Sequence, residues 1–125
     1  YVTYQHSNSW EGQKPVDKSN LLPKTMQRLE NRQDLKIVFY GDSITEGYNT
    51  SGFVKTAPYM PKWSTLVTES LKKAYPFSNI TEVNTGLSGK DTRWGVQNLS
   101  ECVTAYTPDL VVLAFGMNDG GQLSS

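Results

Sequence analysis

The stretch LKIVFYGDSITEG, residues 35–47, decides how the chain folds. Leu35, Ile37, Val38, Phe39 and Tyr40 form a short run rich in β-branched and aromatic side chains. Such a run, cut off by Gly41, predicts a strand covered on both faces. Gly41-Asp42-Ser43 then turns the chain. In open α/β sheets ligands bind outside the carboxyl ends of the strands, so Ser43 stands where chemistry is usually done. A turn serine, or an N-cap for residues 44–47, accounts for the same residue.

Downstream, residues 50–61 contain Gly52, Pro58 and Pro61 and predict a long irregular loop, a kind that is often functional. Phe53, Tyr59 and Met60 lie in it. A helix is expected over 62–74, with Trp63, Leu66, Val67, Ser70, Leu71 and Ala74 on one face, ended by Pro76. Residues 80–84 read as a second strand with Val83 inward, and 85–89 as a second turn. Asp91 or Thr92 caps a helix to about Tyr106, with Val96, Leu99, Val103 and Tyr106 inward. Leu110-Val111-Val112-Leu113-Ala114-Phe115, the most apolar run in the chain, predicts a third strand, and Gly116-Met117-Asn118-Asp119-Gly120-Gly121 follows it. Upstream, Pro23 opens a helix to about Asn31, with Leu22, Met26 and Leu29 on its buried face. Residues 1–20 read as an N-terminal arm or the end of a preceding domain, because Tyr1-Val2-Thr3-Tyr4-Gln5-His6 alternates like a strand and then gives way to polar sequence. Residues 21–125 form the unit that carries the strands.

With 125 residues the chain suits one domain. Charged residues are 19% and the formal net charge is zero, which argues against a nucleic-acid surface or a polybasic membrane patch. No apolar run approaches a membrane span. The first residue is Tyr1, so a processed product or a fragment is expected. Cys102 is the one cysteine and reads as a small buried thiol. Asn49-Thr50-Ser51, Asn79-Ile80-Thr81 and Asn98-Leu99-Ser100 match the glycosylation pattern, as chance allows in a chain rich in these residues.

Helices between apolar strands imply parallel pairing through right-handed crossovers. All strand carboxyl ends then share one edge, so Ser43, Gly86 and Asn118 converge although distant in sequence. A serine hydroxyl attacks carbonyls, a glycine lets a backbone N–H approach a ligand, and an asparagine amide adds a second donor for an oxyanion.

Gly41-Asp42-Ser43-Ile44-Thr45, Asn84-x-Gly86-x-Ser88-Gly89 and Gly116-Met117-Asn118-Asp119 resemble the first three blocks of the SGNH (GDSL-type) hydrolases, in the right order. The resemblance implies a three-layer α/β/α fold with a parallel, flavodoxin-like sheet and the hydrolysis of esters. It makes Ser43 the nucleophile, and gives the oxyanion hole to the N–H groups of Ser43 and Gly86 and the amide of Asn118. Asp42 and Asp119 take turn and hydrogen-bonding roles. No cofactor and no metal are implied. The Gly-x-Ser-x-Gly signature of α/β-hydrolases is absent, since Thr45 stands at its second glycine.

The family's last block, Asp-x-x-His, supplies the base and its acid and is not in this sequence. The one histidine, His6, lies upstream of the first strand and is expected at a surface or strand edge. The expectation is therefore a serine esterase whose sheet is truncated after the third strand and whose residues 1–125 alone are inactive. Acetyl esters on carbohydrate are the expected substrates, ahead of thioesters or lipid acyl groups. Asp42, Tyr48 and Trp94 are candidate substrate contacts, with Phe53 and Tyr59 nearby; core packing explains Trp94 equally. A secreted or periplasmic location is expected. The alternatives are a non-catalytic binding module of the same fold and a flavodoxin-like phosphate site on residues 41–47. The first strand should lie between the other two. The third, with both faces apolar and one edge bare, should then meet a further segment or a second copy of the chain.

Overall fold

The computed structural model describes residues 15–121 together with 7, 9 and 11–13. Tyr1–His6 and Trp10 lie outside the described residues, so the strand-like arm and the surface position of His6 are not addressed by it.

The elements in chain order are α1 (Pro23–Glu30), β1 (Leu35–Gly41), α2 (Ser43–Glu46), α3 (Trp63–Ala74), β2 (Ile80–Asn84), α4 (Thr92–Gln97), α5 (Leu99–Cys102) and β3 (Leu110–Ala114), with short 3₁₀ turns at Ser19–Leu21, Thr104–Tyr106 and Asp119–Gly121. The sheet is parallel in the order β2-β1-β3. Leu35 pairs with Ile80, and Gly41 with Ala114. β1 is central and buried almost throughout, as its run of apolar residues on both faces requires.

Successive residues of β1 serve opposite layers. Leu35, Ile37 and Phe39 join Leu29 and Ile80 in one cluster, with Met26, Trp63 and Leu71 of α1 and α3 against it. Val38 and Tyr40 join Val103 in the other, with Trp94, Cys102 and Phe115 against it. Helices therefore cover both faces, and the three-layer α/β/α expectation is met. Cys102 is half-buried and unpaired.

Several expected helix faces are wrong. Leu22 is exposed ahead of α1, where Thr25 takes the buried position beside Leu29. Leu66 and Val67 of α3 are exposed, and Ser64 and Thr68 are buried in their place. The reason lies beneath the helix, where β2 presents Glu82 and Asn84. Ser64 Oγ donates to Glu82 Oε1 at 2.6 Å and accepts from Asn84 Nδ2 at 2.8 Å. A hydrophobic residue there would take one hydrogen-bond partner from each of those groups.

The helix expected from Asp91 to Tyr106 is broken. Asp91 does cap it, its Oδ1 accepting from Trp94 N at 2.8 Å. At Asn98 the side chain donates to Trp94 O, and α4 gives way to α5. Asparagine and threonine side chains offer the backbone such alternatives. Of the four residues expected inward, Val96 (78% exposed), Leu99 and Tyr106 are exposed and Val103 is buried. β3 is correspondingly open on that face, with Leu113 64% exposed. Tyr40, Gly95, Val96, Leu99, Leu113 and Phe115 line an apolar cavity of about 280 Å³ there.

Candidate active site

Register brings the three turns together. Gly41 ends β1, its O accepts from Leu87 N at 3.0 Å, and Asp42 N donates to Ala114 O at 3.3 Å. The turn at Ser43 is thus flanked by the turn after β2 on one side and that after β3 on the other. Glycine is required at Gly41 itself: an added Cβ would collide with Ala114 O and Thr45 Oγ1.

Asp42, not Ser43, is the N-cap of α2. It is 2% exposed and its Oδ1 accepts from Ile44 N at 3.0 Å. A carboxylate so buried and so engaged holds the turn, the role the motif gave it; substrate contact at Asp42 has no support in this placement. Ser43 occupies the first helical position, half-buried, and its hydroxyl bonds to no described residue. Its amide is one of the donors that a helix start leaves without an intrahelical partner.

Gly86 packs directly on α2. A Cβ added there would lie 2.5 Å from Glu46 N and 2.8 Å from Thr45 C, both backbone atoms. Its N–H donates to Asn84 Oδ1 at 3.1 Å. Asn84 Nδ2 donates in turn to Thr45 O at 2.7 Å, so this one side chain joins the second turn to the helix of the first. Glu46 makes the same connection: its Oε2 accepts from Ser88 N at 2.9 Å and from Ser88 Oγ.

Asn118 Nδ2 donates to Lys90 O at 2.8 Å, which uses one of the two hydrogens on that nitrogen. Asp119 Oδ1 accepts from Thr92 N at 2.7 Å and Thr92 Oγ1 at 3.0 Å, tying the third turn to the start of α4. That is the hydrogen-bonding role expected of it. Trp94 packs against Tyr40, centroids 5.9 Å apart, with Lys90 Nζ over its ring, so the core accounts for it. Tyr48 and Phe53 are exposed and pack against each other in a tilted pair, centroids 5.2 Å apart. Tyr59 is exposed as well.

Two residues that hold the site together were given no role from the sequence. Glu46 follows Ser43 by three, one turn on along the same face, the spacing that could have marked it. Asn84 opens the second motif block and precedes Gly86 by two, the offset of an Asx turn. Among the described residues no group of three His, Cys, Asp or Glu is placed to hold a metal ion. None of their helices is long and apolar enough to cross a membrane.

Comparison with known proteins places the chain among esterase-like sequences and folds. The GDSL-like lipase/acylhydrolase family pattern matches residues 39–125. An arylesterase of Vibrio mimicus is 31% identical over 85 residues, 68% of this chain. A two-domain esterase active on acetylated mannans superposes with a TM-score of 0.69 at 30% identity over 78% of the chain. An acetylxylan esterase from Geobacillus stearothermophilus gives 0.52 at 31% identity over 68%. The chain spans 38% of the arylesterase, and 25% and 40% of the two esterase structures. From its three motif turns, its parallel sheet and these matches, the chain belongs to the GDSL-like lipase/acylhydrolase family.

Proposed function

We propose that the protein hydrolyses acyl esters, acetyl esters of carbohydrate in particular, with Ser43 as nucleophile. The observation that carries this is the state of Ser43. It sits at the carboxyl end of the central strand, between the other two turns, and Asp42 has relieved it of capping. The names of the similar structures, esterases acting on acetylated mannan and xylan, favour an acetylated glycan as substrate. With a polymer of that kind, the protein works in a secreted or periplasmic setting.

In the reaction, Ser43 Oγ attacks the ester carbonyl carbon while its proton passes to a base. The carbonyl oxygen becomes an oxyanion, and collapse expels the sugar oxygen, which takes the proton. Water then cleaves the acyl-serine, releasing the acid and restoring Ser43. The Ser43 amide, the Gly86 amide and the second hydrogen of Asn118 Nδ2 stabilise the oxyanion. The Gly86 N–H, held by the neutral Asn84 Oδ1, transfers to the oxyanion because charge-assisted hydrogen bonds are roughly twice as strong as neutral ones. No histidine is present among the described residues. In this reading the base is the histidine of the family's Asp-x-x-His block, which residues 1–125 do not include, so by themselves they turn over little, since a serine without a base is a weak nucleophile.

The test is hydrolysis of acetylated mannan and 4-nitrophenyl acetate by the intact protein and its Ser43→Ala variant. Loss of both activities in the variant is expected. Unchanged activity removes Ser43 as nucleophile, and a correctly folded intact protein with no activity on any ester favours the binding-module alternative.

A further inference from the structure

The loop between α2 and α3 is fastened to itself. Val54 N donates to Thr50 O at 3.0 Å, Thr56 N to Ser51 O at 2.8 Å, Gly52 N to Met60 O at 3.0 Å, and Met60 N to Ser51 Oγ at 2.8 Å. A loop so well bonded nevertheless holds Tyr48, Phe53, Val54, Tyr59 and Met60 about half exposed or more. None of them belongs to either core cluster. Folding gains little from apolar side chains left in water, and a group of them on an ordered loop points to a ligand.

A cavity of about 310 Å³ opens beside Phe53. Phe53 and Pro61 give it apolar wall, and Glu46, Lys62, Thr50 and Thr65 add an anion, a cation and two hydroxyls. Lys62 is held in place. A Cβ on Gly47, the left-handed cap of α2, would lie 2.5 Å from Lys62 Cβ, and Lys62 Nζ is 3.9 Å from Glu82 Oε1. Glu46 engages Ser88 through Oε2, and its Oε1 has no partner among the described residues.

We propose that this cavity is a pyranose subsite, holding one sugar ring of the substrate against Phe53 with Tyr48 as its support. The proposal rests on the glycan-esterase reading and deepens it. A pyranose has apolar C–H faces and a rim of hydroxyls that both donate and accept. An aromatic wall edged by a carboxylate, an ammonium and two hydroxyls matches both. An acyl chain would find no use for those polar groups; it suits the cavity between α4 and β3, where Thr92 is the sole polar lining residue. Position supports the sugar as well. Glu46 lies three residues after Ser43 on the same helix, about 5 Å along its axis. A ring seated here brings an ester on its own or the next residue within reach of Ser43.

The test is titration of the intact protein with mannopentaose and with xylopentaose, neither carrying an ester, followed by calorimetry. Saturable binding of at least one is expected. Phe53→Ala and Lys62→Ala should each raise Kd about tenfold. Both residues are partly or largely exposed, and alanine keeps the Lys62 Cβ that packs on Gly47, so both variants should fold. Phe77→Ala, an exposed ring at the far end of α3, should bind as wild type. No saturable binding of either oligosaccharide up to about 10 mM, wild-type affinity in the Phe53 and Lys62 variants, or equal weakening by Phe77→Ala each overturns the subsite. A protein that binds and does not hydrolyse fails the esterase reading alone. One that hydrolyses and does not bind fails the subsite alone.

Discussion

The Glu46 carboxylate accepts from both the amide and the hydroxyl of Ser88, bracing the turn after β2 against the helix that begins at Ser43. Ser88→Ala removes the hydroxyl half of that brace. We expect a stability loss of about 1.5–3 kcal/mol, the range for a hydrogen bond to a charged group, measured by urea unfolding. In the intact protein kcat should fall about tenfold with KM little changed, less than the roughly 10²–10³ lost with a whole oxyanion donor. Ser88→Thr should restore both. A kcat that stays at the wild-type level would show that the brace is structural only.

Gly86→Ala tests how closely the same two elements approach. The new methyl meets the backbone at Thr45 and Glu46, which cannot rotate away as a side chain could. Overpacking of this kind costs about 1–3 kcal/mol. The lowered urea midpoint should come with a larger loss of turnover than Ser88→Ala produces.

Asn118→Ala should lower kcat on 4-nitrophenyl acetate by roughly 10²–10³ while the folded state persists by circular dichroism. Wild-type turnover in this variant would remove Asn118 from the oxyanion hole and leave it only its bond to Lys90 O.

Tyr40 gives a pH prediction. Burial, with a smaller contribution from Cys102 beside it, pushes its hydroxyl up to about 12 from the usual 10. Below pH 10 the folded and unfolded states are both protonated and the shift contributes no pH dependence. Above it the unfolded chain ionises first, so stability falls between about pH 10 and 12, by on the order of 2–3 kcal/mol. Tyr40→Phe loses the bond to Gly95 O at 3.0 Å, worth about 1 kcal/mol, and should flatten that decline. Urea midpoints measured at pH 8, 10 and 11.5 distinguish the two proteins.

Leu113 stands exposed on β3, whose second edge pairs with no described strand. We expect residues 1–125 to associate through that edge as concentration rises. Leu113→Lys should reduce the association, because lysine blunts strand edges, and should change stability by no more than about 0.5 kcal/mol. Sedimentation velocity over a range of concentrations measures the first, urea unfolding the second.

The strands, their order and the three turns were legible because each depends on local signals: an apolar run, a glycine that ends it, and crossover length. β2 spans Ile80–Asn84 as expected, and β3 falls one residue short of the apolar run. The faces of α3 and α4 were not legible, because they depend on what lies across from them. Ser64 turns inward to meet Glu82 and Asn84, and Thr68, one turn on, donates to Ser64 O, which no periodicity within α3 can reveal. Asn98 divides the last crossover helix by a side-chain bond to Trp94 O, and Leu99 follows the new direction. Within the site, Ser43, Gly86 and Asn118 could be named from motif position. The links through Glu46 and Asn84 join residues about forty apart and appear only once the turns are assembled.

The central place of β1 also governs how the chain reaches its structure. β1 is the first strand among the described residues, yet neither of its edges has a partner nearby. Lys36 N finds Asp109 Oδ2, at 2.8 Å, across 73 residues, and Leu35 waits for Ile80. Each pairing requires closure of a long loop before any ladder bond forms. Non-local pairing of this kind slows folding to the order of milliseconds or longer, where helical bundles need microseconds. During synthesis, a chain extended only through β2 holds its most apolar strand half paired. The third turn, with Asn118, is thus completed by the same late event that seals β1, and a chain that has not finished folding has no assembled site with which to meet a substrate.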